Sequence, residues 1–346
     1  MVENCESALD FRHLCTCRRR FRSLRRSLKV QHPRPSLART RSKPTLEEML
    51  TCFEFFLPLI TDNLELLEHL ATDFVKRQYE QNVIYTEVRY SPHFFASDAK
   101  AAHAAVTRGL RKACELYPVK VNQILCAINF RPDWSDEVVE MANSFRNDFP
   151  CAVVGVDIAS GEQHFSHDSP LRKGHFDMCQ KAKEMGLNVT IHAGETPDSA
   201  ENVRMAIDNY GAKRIGHGYN ITNTPEIMDH VKARNVHLEV CLTSSVETGG
   251  WEKTTWKDHP ALVFREWGIS QSLSSDDPAV FNTSLTWQYR IAMKKMGLSE
   301  DDILRMTEDA IQAAFISEDE KTKLLEKARI FIVEHKTIFR DRVHYE

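Results

Sequence analysis

From Lys43 onward the chain alternates short β-branched runs with longer stretches whose apolar positions recur at helical spacing. Seven runs read as strands: NVIYTEVRYSP (82–92), KVNQILCAINF (120–130), AVVGVDIAS (152–160), NVTIHAG (188–194), RIGHGY (214–219), VHLEVCLTS (236–244) and GISQSLSSDDP (268–278). Between them lie amphipathic segments such as DEVVEMANSFRND, SAENVRMAIDNYG and TPEIMDHVKARN, several opening on Ser, Thr or Asp in N-cap position. This alternation predicts βαβ units and a parallel sheet. From about Ser299 the pattern becomes successive helices, SEDDILRMTEDAIQAAF and SEDEKTKLLEKARIFIVEH, which are expected to pack around the outside.

A TIM-type (β/α)8 barrel with extra C-terminal helices accommodates the seven strands and requires one more. That strand has to precede Lys43, where the nearest candidate, LKVQHPRPSL, is spoiled by two prolines. The expected fold is an α/β barrel lacking a normal first strand. It divides into a basic, irregular segment at 1–42 and a barrel domain at 43–346.

Charge sharpens that division. Residues 1–43 hold 12 Lys/Arg against 3 Asp/Glu, although the whole chain of 346 residues carries a net charge of −4. Such asymmetry marks a nucleic-acid arm, a targeting segment or chain foreign to the fold behind it. The run CTCRRRFRSLRRSLK has no interleaved aromatic beyond Phe21, which speaks against nucleic acid. The N-terminus has no secretory apolar region, and no apolar run approaches the ~20 residues of a membrane span. Nine cysteines without regular spacing point to reduced thiols and a cytoplasmic location.

Polar residues gather at the C-terminal ends of the later strands, where barrel enzymes build their sites. VTIHAGE brings His192 and Glu195, RIGHGY brings His217, and SLSSDDP brings Asp276 and Asp277. Singly, each has an ordinary reading: a structural histidine, a tight Gly-His-Gly turn, a helix-capping Asp-Asp-Pro. Together, two imidazoles and three carboxylates at successive strand ends call for a metal or a charged intermediate. His and carboxylate ligands suit Zn²⁺, which supplies hydroxide at neutral pH, with a nearby Glu as proton donor.

The blocks VTIHAGE, RIGHGY, LEVCLTSS…TGGW and LSSDDPAVFNTSL resemble, in order, those of the adenosine deaminase family of zinc-dependent amidohydrolases. TEVRYSPH (86–93) and TLEEMLTCFEFFLP (45–58) add to the resemblance. It implies conversion of adenosine or 2′-deoxyadenosine to inosine or 2′-deoxyinosine, with one Zn²⁺ and a small purine nucleoside as the partner. By that resemblance His192 and Asp276 are metal ligands, and Glu195 protonates the purine N1. His217 orients the attacking hydroxide, and Asp277 accepts from the N7 side. The VDIASGE loop, with Ser160 where the family has glycine and Gly161 next to it, touches the purine N3. Leu46, Met49, Leu50 and Phe53, at i, i+3, i+4 and i+7 of one helix, form an apolar lid or simply pack into the core.

The family's first strand carries a His-x-His pair of ligands and a Leu-Asp-Gly that holds the ribose. This sequence has no His-x-His. ESALDFRHL (6–14) resembles the stretch that follows that motif, and only MVENC lies upstream. The arm is accordingly a lost first strand, a source of substitute ligands from His13, Cys15 and Cys17, or an anion-binding segment, the first being most economical. Two readings compete with the nucleoside enzyme: an adenine deaminase, which needs no ribose contact, and a catalytically dead relative that binds nucleosides or a partner.

Overall fold

The computed structural model describes residues 2–3, 45–252 and 255–342. Eight parallel strands follow one another in chain order: β1 (Val2–Glu3), β2 (Tyr85–Tyr90), β3 (Lys120–Ile128), β4 (Val153–Ala159), β5 (Asn188–Ala193), β6 (Arg214–His217), β7 (His237–Val240) and β8 (Gln271–Leu273). Every neighbouring pair is parallel with a helix on the crossover from β2 onward, the topology expected of the barrel. All seven strands expected from the sequence are present, shorter than the apolar runs suggested. The last ends at Leu273, because Ser274–Asp277 leaves the sheet to form the turn that carries the two aspartates.

The first-strand position, for which the sequence offered no candidate, is taken by Val2–Glu3, paired with Tyr85 and Thr86 of β2. The described part of this strand is two residues long, against the usual five or six. Among the described residues no ladder joins β8 back to β1. The Arg-rich run, with His13, Cys15 and Cys17, lies outside the described residues.

The helical layer follows from local rules. The helix Leu64–Glu80 opens on Asn63, whose side chain accepts from the Leu66 amide, and buries Leu67, Leu70, Ala71, Phe74 and Val75. It packs tightly on Ala99–Cys114, where a Cβ on Gly109 would stand 2.2 Å from the Glu68 carbonyl oxygen. The single lid helix read from the sequence is instead two, Leu46–Leu50 and Phe53–Ile60. Between them the Thr51 hydroxyl donates to the Glu48 carbonyl at 2.6 Å and the Cys52 amide to Met49, three residues back, which interrupts the regular ladder. Met49 is buried, while Leu46, Leu50 and Phe53 are half-buried. No helix of the described residues is long and apolar enough to cross a membrane.

Several histidines are built into the interior as neutral groups. His237 sits between the Ser270 and Ser272 hydroxyls, each at 2.8 Å, and burial lowers its pKa to about 3. His164, on Asn129, and His259, on Ser245, are likewise lowered to about 3, chiefly by burial. Because these folded pKa values lie below the ordinary one near 6.5, the unfolded chain takes up protons first as pH falls. Conformational stability should therefore decline from about pH 6.5 towards pH 4, read as the urea midpoint against pH, with a shallower slope in His237→Gln.

Candidate active site at the C-terminal strand ends

The barrel interior is polar. Period-two alternation along β2 turns Tyr85, Glu87 and Arg89 to one side of the sheet, and all three are fully buried. Arg214 of β6 bridges Glu87 (Nη1 to Oε2, 2.5 Å) and Glu239 of β7 (Nε to Oε1, 2.6 Å). Arg89 continues the chain, donating to Glu239 Oε2 at 2.5 Å and standing 3.6 Å from Asp157 Oδ2 on β4. Asp157 in turn holds His192 Nδ1 at 3.0 Å. Burial alone would push the Asp157 carboxyl up, but the His192 and Arg89 charges outweigh it and bring the pKa down to about 2. With Nδ1 tied to a carboxylate, His192 presents Nε2 to the mouth, the carboxylate–histidine arrangement usual behind a metal-binding imidazole.

Two tight turns place the next groups. After β5, Gly194 adopts φ +73, and a Cβ there would lie 2.7 Å from Val203 Cγ2 and 3.0 Å from the Cα of Gly218. Glu162 fixes this turn from the next loop: its oxygens accept from the amides of Gly194 (3.0 Å), Glu195 (2.9 Å) and Thr196 (3.1 Å) and from Asn202 Nδ2 (2.7 Å). After β6, His217 itself takes φ +70. Its Nδ1 meets the Tyr219 hydroxyl at 3.0 Å, and its Nε2 lies 3.4 Å from Glu195 Oε2. The Tyr219 hydroxyl donates to the Cys241 carbonyl at 2.9 Å, so its one proton is used and His217 Nδ1 must be the donor. Nε2 is then the unprotonated nitrogen.

The electrostatics follow from burial. Burial first, then the Asp276 carboxylate, raises the Glu195 pKa to about 8, so the acid keeps its proton at neutral pH. Burial, assisted by the His192 and Arg89 charges, holds His217 well below the usual imidazole range and therefore neutral. Asp276 follows β8 at φ +57 and is raised by burial, opposed by a hydrogen bond with Ser244 and by the His192 and Arg89 charges. Asp277, half-buried, hydrogen-bonds to Asp276. Ser160 takes φ +91, a conformation that suits glycine, and a Cβ on Gly161 would stand 2.2 Å from the Gln163 side-chain oxygen. Left-handed backbone at Ser160, His217 and Asp276 is the kind of local strain that collects at functional sites.

The structure thus brings His192, Glu195, His217 and Asp276 into one buried cluster with Asp277 at its edge, the His192 and His217 ring centres 5.4 Å apart. Cys241, at the end of β7, joins it: its sulfur, a His217 ring nitrogen and an Asp276 oxygen all lie within 4.8 Å of one another. The sequence reading missed Arg89, Asp157, Glu162, Tyr219, Glu239 and Cys241. The available signal was charge inside otherwise β-branched runs, Glu87 and Arg89 in TEVRY and Asp157 in VVGVDIAS. A cavity of about 1260 Å³ opens at the other end of the strands beside Asn122, His237 and Gln271 and contains none of the sequence-predicted site residues.

The adenosine deaminase family model matches residues 29–330. The adenosine deaminase of Xenopus tropicalis is 35% identical over 298 residues, covering 82% of this chain and 81% of that one. The chain belongs to the adenosine deaminase family. Among solved structures, the N6-mAMP deaminase of Arabidopsis superposes with a TM-score of 0.79 at 22% identity, over 95% of this chain and 96% of that one. A Burkholderia ambifaria amidohydrolase with bound Zn gives a TM-score of 0.70 at 21% identity, over 80% and 76%. These two likenesses carry the barrel fold and no more.

As to what a metal would find, the donor set fits in part. His192 Nε2 with its carboxylate partner, and the buried Asp276, suit a divalent cation; the first-strand pair that a family member supplies is absent from the sequence.

Two substitutions test this construction. Arg89→Met, which leaves Asp157 with His192 alone and Glu239 with Arg214 alone, should lower unfolding free energy by about 3–5 kcal/mol in urea titrations. Gly194→Ala, which forces a Cβ onto Val203 and Gly218, should lower it by roughly 1–3 kcal/mol.

Proposed function

We propose that this chain hydrolyses adenosine and 2′-deoxyadenosine to inosine and 2′-deoxyinosine with release of ammonia, at the C-terminal mouth of the barrel and in the cytoplasm. The observation that carries the reading is the buried pair of a protonated Glu195 and a neutral His217, 3.4 Å apart, beside Asp276. An acid that keeps its proton at neutral pH can give it to the purine N1, which draws electrons from C6 and opens that carbon to water. The neighbouring imidazole, its Nδ1 proton committed to Tyr219, accepts a proton from the incoming water through Nε2 and orients it. Asp277 faces the N7 edge, the Ser160–Gly161 backbone faces N3, and Leu46, Met49, Leu50 and Phe53 cover the nucleoside and exclude water.

His192 and Asp276 would hold Zn²⁺, which supplies the acidity that makes a water nucleophilic at neutral pH. Among the described residues these two are fewer than the three or four protein ligands usual for zinc. The scatter of nine cysteines without regular spacing supports a reducing compartment. An adenine deaminase is the second reading, favoured by the absence of the family's Leu-Asp-Gly ribose contact from the sequence.

The test is the fall in absorbance as adenosine becomes inosine, followed with the purified full chain across a zinc titration. Turnover should rise with zinc and drop by about 10²–10⁴ in Glu195→Gln. Faster turnover of adenine than of adenosine would move the assignment to the free base. A folded, zinc-equilibrated chain that makes no inosine and no hypoxanthine would make it a binding protein.

A further inference from the structure

We propose that a divalent metal in this chain is also captured by Cys241, His217 and Asp276, a sulfur-containing set on the β6–β8 side of the mouth that competes with the His192–Asp276 half-site. The inference rests on the deaminase reading in that Asp276 is common to both metal sets and His217 orients the water there.

Ligand number favours the second set. His192 and Asp276 make two protein ligands, and the sequence has no His-x-His to complete them. Cys241, His217 and Asp276 make three, one of each type that zinc accepts: thiolate, imidazole and carboxylate. All three are buried, and their ligand atoms lie within 4.8 Å of one another. Zinc–ligand bonds of about 2.0–2.3 Å in a tetrahedron place ligand atoms roughly 3.3–3.7 Å apart, so the set needs to close by about an ångström.

The supporting shell is already assembled. The Tyr219 hydroxyl accepts from His217 Nδ1 and from the Cys241 amide (3.0 Å each) and donates to the Cys241 carbonyl at 2.9 Å. One hydroxyl therefore fixes the backbone of the thiol and the tautomer of the imidazole, leaving Nε2 as the ligand atom. Asp276 is held in its left-handed turn, buried beside Ser244. Binding breaks the Cys241 S–H bond, forms a sulfur–metal bond and releases the proton to solvent; no electrons are transferred.

The consequence is functional. His217 cannot both ligate a metal and orient the attacking water, so metal in this set is held without turnover. Metal content and deaminase activity are then separable in this chain, and the balance between the two sets decides how much of it works.

The test is titration of the metal-free full chain with Co²⁺, followed by absorption. The expected result is a near-ultraviolet sulfur-to-cobalt charge-transfer band that is retained in His192→Ala and lost in both Cys241→Ser and Cys241→Ala, with circular dichroism unchanged. Persistence of the band in the Cys241 variants overturns the proposal and assigns the sulfur elsewhere in the chain. Cobalt bound without the band, and lost in His192→Ala, also overturns it but leaves the family half-site standing. No cobalt binding overturns it together with the metal part of the deaminase reading, whose proton-donor part is tested separately by Glu195→Gln.

Discussion

Everything at the mouth of this barrel depends on five ionised side chains buried inside it: Glu87, Arg89, Asp157, Arg214 and Glu239. They form one continuous chain of contacts from β2 through β6 and β7 to β4, which ends on His192 Nδ1. Such a chain adds little net stability, because desolvation of the charges offsets much of their attraction. What it fixes is direction. The Asp157 carboxylate turns the His192 ring, and the Arg89 charge acts on both His217 and Asp276. Five charges on four strands can be satisfied together in few arrangements, so the register of the strands and the aim of the site are set by the same contacts.

Upon that base the site is made of turns rather than strands. Glu162 gathers three consecutive amides of the HAGE turn, and Gly194 lies against Gly218 because neither carries a Cβ. The left-handed backbone at His217 and Asp276 lets two reactive groups point into the same small volume from different strands. Water is excluded there, and the exclusion produces the protonation states: a carboxylic acid that stays neutral beside an imidazole that stays neutral. The proposed proton transfers would draw on that pair without a charge having to be buried beforehand.

The strands and the strand-end groups were legible because both obey local rules. Alternation of β-branched runs with helical spacing located β2 to β8, and the turns that follow β5, β6 and β8 carry their chemistry within a few residues of the strand. The interior was less legible, since the partners of Arg89 and Arg214 are separated from them by 25 to 150 residues in sequence and only the curled sheet brings them together. The lid segment was read as one helix because apolar spacing does not register a threonine hydroxyl turned back on the ladder at Thr51. The first strand was invisible for a simpler reason: two residues show no period. Cys241 passed unnoticed because a cysteine in a strand looks like any small apolar residue until its neighbours are known.

On the proposed reading, the buried Glu195–His217 pair handles the protons and His192 with Asp276 would hold the metal. The most direct measurement of that account is to incubate the zinc-equilibrated chain with adenosine in heavy-oxygen water and weigh the product. Inosine carrying one heavy oxygen at C6, with one ammonia released for each, is the predicted result. Unlabelled inosine, or none from a folded chain with zinc bound, would contradict it.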